Sequence, residues 1–476
     1  MRAANAVGLV LERARWPFHR FAATTAGVTA VVAVFSTSPH SVVVLALMAA
    51  LSVGFAYTIF GCGGAIRVGR AFSILTLLAV AIYWAQKITL PEYMGFSGGL
   101  GVGTDDSYFY SLAVSNLPAD FPVRSYFLLV DHPYAKLLRL VSKTEEYLAI
   151  EVHPLDLLVV NVAFLALLAP CVREIIFGVT GDERAADACY WMTLFCPFIA
   201  ANGLVLIRDG IVTSAFALAI FALLRRQWLL LIMAVGFATW LRIQHGILIA
   251  FVVGVIWLVS GPRERIMGLV GKRLLALGAI ALLSVVVVAG LWTQLNFAEI
   301  AAKLAGVDFA RQAFLDTFFA QAMSLDSGTS TYATITQLPW YGRLPLSFLF
   351  FFGLPYFQPA SVHVDGVLVP RYVLHSVFGV LFCIYIGYFV RGTLRAIRER
   401  HRFMISVVAI YLVSIALVAQ FSMQPRHKIP LMVLFYIVVA FGALKTNVHE
   451  KHVGYAASLA MGFFVLIYNA YIEQVA

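Results

Sequence analysis

The chain has 476 residues, of which 61% are hydrophobic and only 12% are charged, and its mean hydropathy is +0.88. This composition excludes an ordinary water-soluble globular enzyme and indicates a protein that lies in a lipid bilayer. A net charge of +10 would suggest a nucleic-acid partner for a soluble protein. In a membrane protein, Lys and Arg in cytoplasmic loops explain the charge, so no nucleic-acid partner is predicted.

Apolar segments recur along the whole chain, and about 18 or more apolar residues in a helix cross the roughly 30 Å hydrocarbon layer. We therefore expect an all-α polytopic integral membrane protein with about 12–14 transmembrane helices. Residues 1–476 are expected to form a single polytopic membrane domain. The expected spans are 22–38, 41–60, 71–88, 156–172, 188–206, 210–224, 228–241, 245–260, 273–293, 372–390, 403–421, 429–445 and 453–473.

Basic residues predict the orientation, because Lys and Arg concentrate in cytoplasmic loops. The N-terminal segment is rich in Arg and no small-x-small cleavage site ends the first span, so we expect a retained helix and a cytoplasmic N-terminus. If the segment 346–357 crossed the membrane fully, the Arg-rich run at 391–402 would lie outside. We therefore expect 346–357 to be a short re-entrant or interfacial segment. The outer face then carries large loops at about 89–155 and 294–371 and short turns at 206–210, 240–246 and 424–430.

An acidic pair, Asp105 and Asp106, lies in the first large outer loop, in the segment GGLGVGTDDSYFY. Either carboxylate could act as general base on an acceptor hydroxyl. Either could instead hold a divalent cation, Mg²⁺ or Mn²⁺, against a diphosphate leaving group. TDDSYFYSLA also reads as the start of a helix that the Thr or an Asp caps. The sequence leaves these alternatives open.

The three short outer turns carry a second group of polar residues. They are Arg208 and Asp209 in LIRDG, Arg242 and His245 in WLRIQHG, and Arg426, His427 and Lys428 in QPRHKIP. Cations on the outer face depart from the positive-inside bias, which predicts an anionic partner. The alternatives are snorkelling of basic side chains to lipid headgroups and, for the adjacent Arg and Asp, a local ion pair.

If these turns meet, they form a basic rim that faces the acidic pair. A lipid-linked diphosphate sugar needs cations for its diphosphate and a carboxylate for the sugar acceptor. The combination favours an enzyme at the outer interface over a transporter, in which polar residues gather at mid-membrane.

The arrangement resembles the GT-C-type polytopic glycosyltransferases of bacterial envelopes, which carry an acid in the first outer loop and a late R-Y-R-x-P turn. That resemblance implies a catalytic or metal-binding role for Asp105 or Asp106, a polyprenyl-phosphate sugar donor, and phosphate binding by Arg426 and His427. The RDG turn and LRIQHG are also similar to EpsG and Wzy-type polysaccharide polymerases, whose external Arg residues hold a polyprenyl diphosphate. The chain has adjacent Asp residues in place of a DxD or ExD triplet, a departure that concerns metal dependence. It also has three spans before the acidic loop where the common GT-C arrangement has one, which keeps the polymerase open.

We therefore expect a membrane glycosyltransferase or polysaccharide polymerase of the bacterial inner membrane. Its donor would be a polyprenyl-(di)phosphate-linked sugar or glycan on the extracytoplasmic face, and its cofactor at most a divalent cation. The alternatives are a flippase or transporter of lipid-linked glycans, and a structural subunit whose polar residues are helix caps and interface residues.

Overall fold

The computed structural model describes residues 41–89, 105–114, 133–147, 152–260, 340–353, 363–364, 367–421, 425–444 and 447–475. The described chain is helical apart from one antiparallel pair of two-residue strands, β1 (His363–Val364) and β2 (Val367–Leu368). Its long apolar helices are those of a membrane protein.

The described helices follow the predicted apolar pattern. Those of the first half are α1 (Ser41–Thr89), α2 (Asp105–Val114), α3 (Pro133–Tyr147), α4 (Pro154–Thr180), α5 (Glu183–Leu194), α6 (Pro197–Gly203), α7 (Asp209–Arg225), α8 (Trp228–Leu241) and α9 (Ile243–Ser260). Those of the second half are α10 (Trp340–Gly353), α11 (Pro370–Arg398), α12 (Arg402–Phe421), a 3₁₀ helix (Pro425–Leu431), α13 (Met432–Ala443) and α14 (Val448–Val475).

Length and composition single out the helices that can cross a bilayer. Among the described residues, four are long and apolar enough: Val43–Thr89, Pro154–Thr180, Pro370–Arg398 and Arg426–Ala443. Trp228–Leu241, His245–Trp257 and Arg402–Ala416 are shorter apolar helices. The predicted spans 22–38 and 273–293 lie outside the described residues, so they stay predictions.

The 49-residue helix α1 reverses direction at Gly61, where φ is 71° and ψ is −170°. Leu45 and Ala79 line the same small cavity beside Leu155. These two residues would lie about 50 Å apart on a straight helix, so both can reach α4 only if the chain turns back between them. Glycine tolerates the left-handed φ that the turn needs. The two arms correspond to the predicted spans 41–60 and 71–88.

The predicted span 188–206 was wrong as one helix. Helix α5 ends at Leu194, Pro197 starts the short helix α6, and residues 204–208 form a loop. The physical reason is local: proline has no N–H to continue the hydrogen-bond ladder and disfavours helical geometry in the residue before it. The break turns the chain back toward the start of α7.

The large predicted outer loops contain helices of their own. Helices α2 and α3 lie within 89–155 and contact each other through an edge-to-face pair, Phe109 and Tyr134, with ring centres 4.9 Å apart. Helix α10 has 14 residues, includes Pro345 and covers most of the segment predicted to be re-entrant. Its length is too short for a full crossing.

Helix α7 joins two polar ends of the bundle. At its C-terminus Arg225 pairs with Glu174 at 3.3 Å, and Glu174 also pairs with Arg67 at 3.5 Å and Arg173 at 2.7 Å. We call this group the Glu174 end. At the N-terminus of α7, about 24 Å away along the helix, lies Asp209. The fold thus puts these arginines and Asp209 at opposite ends of α7, and the side of the membrane that each end faces stays a prediction.

Candidate functional site

A tightly closed loop presents Arg208 and Asp209. The side-chain amide nitrogen of Asn161, on α4, donates to the carbonyl oxygens of Gly203, Val205 and Ile207 at 3.2, 2.5 and 2.9 Å. The loop also closes through glycine: a Cβ atom on Gly210 would lie 2.9 Å from the Cα atom of Gly203. One buried side chain and one backbone contact thus fix where α7 begins.

Asp209 is buried, with 3% of its surface exposed, yet it lies among cations. A guanidinium nitrogen of Arg242 is 3.7 Å from its Oδ1 atom. Burial favours the neutral acid, but Arg242, Arg426 and the histidines at 245 and 427 outweigh it and lower the pKa of Asp209 below its usual value. Asp209 is therefore a carboxylate at neutral pH.

Arg242 sits at the junction of α8 and α9, where an extended backbone conformation ends the first helix. Its second terminal nitrogen lies 3.5 Å from the Nε2 atom of His427, which belongs to the 3₁₀ helix Pro425–Leu431. Arg242 belongs to the predicted turn 240–246. It thus contacts the turn 424–430 through His427 and the turn 206–210 through Asp209.

The remaining members of the predicted set come to the same place. Arg426 acts electrostatically on Asp209, and Arg208 acts on His245 and His427. His245 is 8% exposed, and its Nδ1 atom has no hydrogen-bond partner among the described residues. We call the assembled group the Asp209 cluster. Its members are Arg208, Asp209, Arg242, His245, Arg426 and His427.

Lys428 does not join this cluster. Its side chain is fully buried, its ammonium donates to the carbonyl oxygen of Phe352, and it lies 4.3 Å from the centre of the Phe382 ring. Successive residues of a 3₁₀ helix point about 120° apart, so Lys428 faces inward while His427 faces Arg242. The sequence placed Lys428 with the phosphate-binding residues, whereas the structure ties it to α10 and α11.

Asp105 and Asp106 are the first two residues of α2. Carboxylates at this position favour helix formation because they face the positive end of the helix dipole. The position that would cap this helix, residue 104, and the contacts of the two side chains lie outside the described residues, so the capping, catalytic and metal-binding interpretations all stay predictions.

A short series of contacts connects α2 to the Asp209 cluster. Phe109, one turn after the acidic pair, packs against Tyr134 of α3. The Tyr134 hydroxyl donates to the side-chain oxygen of Asn161 at 3.0 Å, and the amide nitrogen of Asn161 holds the loop before Arg208. The helix with the acidic pair and the basic cluster therefore lie at the same end of the bundle.

Sequence reasoning missed a second polar group beside the cluster. A terminal nitrogen of Arg371 donates to the side-chain oxygen of Asn202 at 2.8 Å, and the Asn202 amide nitrogen lies 2.9 Å from Nε2 of His375. Asn202 and Asn161 are both fully buried. The signal that could have found them is a polar side chain inside an apolar segment, which is costly in a membrane and marks a functional or structural partner.

No group of three or more His, Cys, Asp or Glu side chains in the described ranges is arranged to hold a metal ion. Asp209 faces guanidinium groups, which compete with any cation for its oxygens. The Asp209 cluster is therefore suited to an anion, and a divalent cation at Asp105 and Asp106 stays a prediction.

The chain was also compared with known proteins. No protein-family profile, no curated protein and no solved structure matches it.

Proposed function

We propose that the protein is a multi-pass glycosyltransferase or polysaccharide polymerase of the bacterial inner membrane, similar to the GT-C-type and Wzy-type enzymes. In this proposal it has about 12–14 transmembrane helices, as span lengths suggest, with its N-terminus in the cytoplasm. The donor is a polyprenyl-(di)phosphate-linked sugar or glycan, bound on the extracytoplasmic face. The observation that carries the proposal is the convergence of three separate turns on Asp209.

The Asp209 cluster fits a phosphate by its chemistry. Guanidinium groups bind phosphate oxygens through paired, charge-assisted hydrogen bonds, and Arg208, Arg242 and Arg426 come from three different segments. Asp209 lies 3.7 Å from a terminal nitrogen of Arg242, and the attraction between the two charges favours one orientation of that guanidinium. A site whose donors are already oriented loses less entropy when the ligand binds.

The surroundings of the cluster fit a lipid tail. Helices α8 and α9, which meet at Arg242, expose large apolar side chains along their lengths. Examples are Leu229, Ile232, Ile247 and Phe251, each about half exposed or more. A polyprenyl chain can lie against these side chains within the bilayer while its phosphate reaches the Asp209 cluster.

In the proposed reaction the oxygen of an acceptor hydroxyl attacks the anomeric carbon of the donor sugar. The bond between that carbon and the phosphate oxygen breaks, and the phosphate leaves with the bonding electrons. The Asp209 cluster stabilises the negative charge that develops on the leaving phosphate. Asp105 or Asp106 accepts the acceptor proton as general base. A divalent cation held there would supply charge to the leaving group.

Transport of a lipid-linked glycan is the second candidate, and one observation favours it. Asp209 and His245 are recessed, with 3% and 8% exposure, and buried ionisable groups in membrane proteins often lie on a transport path. A flippase would need the cations for the phosphate but no carboxylate at Asp105 or Asp106.

The test is complementation of surface polysaccharide in a host from which the gene has been deleted. Arg242→Gln, Arg426→Ala, Asp105→Asn and Asp106→Asn are compared at equal membrane levels, with Arg225→Gln at the Glu174 end as control. The enzyme proposal expects loss of glycan in the Arg variants and in at least one Asp variant, with normal glycan in the control. Normal glycan in both Asp variants, with loss in both Arg variants, would favour transport. Normal glycan in all four would contradict phosphate binding.

A further inference from the structure

Helix α10 ends inside the helix bundle. The ring of Phe352, the second-last residue of α10, packs edge-on against Phe382 and Phe389 of α11, with ring centres 5.9 and 6.3 Å away. Tyr411 of α12 packs against the same ring at 6.1 Å. Phe382 and Phe389 lie about 18 and 28 Å from the N-terminus of α11 along its axis, so Phe352 sits near the middle of that 29-residue helix. The C-terminus of α10 is therefore enclosed by other helices.

An enclosed helix end needs a partner for its backbone. The last four carbonyl oxygens of an α-helix have no donor within the helix, and they carry the partial negative charge of the helix dipole. Lys428 supplies a donor, because its ammonium group binds the carbonyl oxygen of Phe352. The same ammonium lies 4.3 Å from the centre of the Phe382 ring, and aromatic faces attract cations. Lys428 thus joins the buried end of α10 to the 3₁₀ helix.

The 3₁₀ helix carries two members of the Asp209 cluster, Arg426 and His427, directly before Lys428. It has seven residues and packs against α6, α7, α12 and α13. Successive residues of a 3₁₀ helix point about 120° apart, so the direction of one side chain sets the directions of its neighbours. An anchored Lys428 therefore turns His427 toward Arg242, whose terminal nitrogen is 3.5 Å from the Nε2 atom of His427.

We infer that Lys428 is a positioning residue: by holding the C-terminus of α10 it orients the 3₁₀ helix, so that an anion binds the Asp209 cluster when α10 is inserted in the bundle. Lys428 is fully buried and acts on the anion through Arg426 and His427. Binding and insertion are then linked, so an anion that favours the assembled cluster also stabilises the inserted α10. This inference rests on the proposed function, because it concerns the assembly of the same anion site.

Titration calorimetry of the purified full-length protein in detergent measures its affinity for farnesyl diphosphate. Hydrogen exchange with mass spectrometry follows the backbone amides of α10 with and without this lipid. In wild type the lipid is expected to slow exchange in α10 about threefold or more. Lys428→Met keeps most of the side-chain length and removes the charge, so it is expected to weaken binding about tenfold or more. It should also speed exchange in α10 and abolish the effect of the lipid there.

Arg395 offers a matched control in the last turn of α11. Its guanidinium donates to the carbonyl oxygen of Phe441 at 3.2 Å, in the last turn of α13, and lies 4.3 Å from the centre of the Phe441 ring. The contact is of the same kind as that of Lys428, but it lies far along α11 from the Asp209 cluster. Arg395→Met is expected to leave lipid affinity within about twofold and to keep the response of α10 to the lipid.

Three results would overturn this inference and leave the proposed function intact, provided that wild type binds the lipid and Arg242→Gln weakens that binding. They are normal affinity in Lys428→Met, an equal loss in Lys428→Met and Arg395→Met, and no effect of the lipid on α10 exchange in wild type. If wild type does not bind the lipid, both claims fall.

A second variant keeps the inference open to test should Lys428→Met unfold. Phe382→Leu leaves the ammonium in place and removes the ring against which it lies. It is expected to weaken lipid binding about threefold or more and to speed exchange in α10. Normal affinity and normal exchange in a folded Phe382→Leu would contradict the inference.

Discussion

The two ends of α7 hold their arginines differently. At the Glu174 end, Arg173 lies 2.6 Å from Asp187 and 2.7 Å from Glu174, and Glu174 also pairs with Arg67 and Arg225. At the other end, Arg242 is 3.7 Å from Asp209, whose Oδ1 atom receives no hydrogen bond from the described residues.

Arginines and carboxylates therefore serve two purposes in this protein, one at each end of α7. At the Glu174 end, the arginines and the carboxylates of Glu174 and Asp187 neutralise each other at close range. These ion pairs stabilise the ends of α4, α5 and α7. At the Asp209 end, cations from three turns surround one buried carboxylate, which suits a site that receives an anion. On this view the Glu174 end is structural and the Asp209 end is a binding site, so substitutions at the two ends should have different effects.

The largest effect is expected at Asn161. Asn161→Leu removes the donor shared by three loop carbonyls and the acceptor of the Tyr134 hydroxyl, so it should lower the free energy of unfolding by about 2–4 kcal/mol. It should also abolish binding of farnesyl diphosphate, because the loop no longer places Arg208 and Asp209. Chemical unfolding in mixed micelles and calorimetry measure the two effects. Thr180→Val, at the other end of α4, is the control; equal losses in both variants would refute the role of Asn161.

The next effect is expected from steric crowding at the closed loop. Gly210→Ala places a Cβ atom 2.9 Å from the Cα atom of Gly203 and should lower stability by about 1–3 kcal/mol while weakening lipid binding. Gly178→Ala is the matched control on α4, since a Cβ atom there meets nothing within 4 Å. It should leave binding unchanged and keep or slightly raise stability, because Ala favours a helix more than Gly. Normal binding in Gly210→Ala would show that the loop contact does not shape the site.

A moderate effect, confined to stability, is expected at the Glu174 end. Glu174→Gln removes the charge that pairs with Arg67, Arg173 and Arg225 and should cost about 1–2 kcal/mol, since the pairs are partly exposed. Binding of farnesyl diphosphate should stay at the wild-type level. A loss of lipid affinity in this variant would show that the two ends are not functionally distinct.

The smallest change in stability at acid pH is expected for a substitution of Glu145 in α3. This change depends on pH more than those of the other variants. The Glu145 side chain is fully buried, and its carboxyl group lies beside that of Asp156. Burial, together with the neighbouring Asp156, raises the pKa of Glu145 from 4.5 to about 9. The folded protein therefore holds Glu145 as the neutral acid, which keeps a further negative charge away from the Asp209 end.

A raised pKa in the folded state sets the sign of the pH dependence. The contribution of Glu145 to stability is complete below pH 4.5 and is lost as the pH rises through about 9. Glu145→Gln should therefore change stability by less than about 1 kcal/mol near pH 5 and flatten the decline toward pH 9. Thermal unfolding across this range measures the slope. Glu146→Gln, an exposed neighbour, should keep the wild-type slope; an unchanged slope in Glu145→Gln would contradict the assignment.

Much of this architecture could be predicted from local sequence. The span predicted at 228–241 coincides with α8, and Arg226 and Arg242 mark its limits because charged residues avoid the apolar interior. The sequence also predicted that the three polar turns form one basic rim, and the structure brings Arg242 of the second turn to Asp209 of the first and His427 of the third.

Other features depend on contacts between distant residues. Asn161 holds carbonyls about 42 to 46 positions away, a pairing that no local pattern encodes. Lys428 and His427 are adjacent in sequence and face opposite ways, because the turn is a 3₁₀ helix. Arg371 lies at the end of the outer loop predicted at about 294–371, where no local pattern marked it. Pro197 was a local signal for the broken span, which hydrophobicity alone concealed.

The central claim is that the Asp209 end binds a lipid-linked phosphate, and native mass spectrometry of protein purified from host membranes tests it most directly. Wild type should retain a bound lipid whose mass and fragments identify a polyprenyl (di)phosphate. The double variant Arg242→Gln/Arg426→Gln should lose this lipid, whereas Arg67→Gln/Arg225→Gln at the Glu174 end should keep it. Retention in both double variants, or loss in both, would contradict the assignment of the two ends.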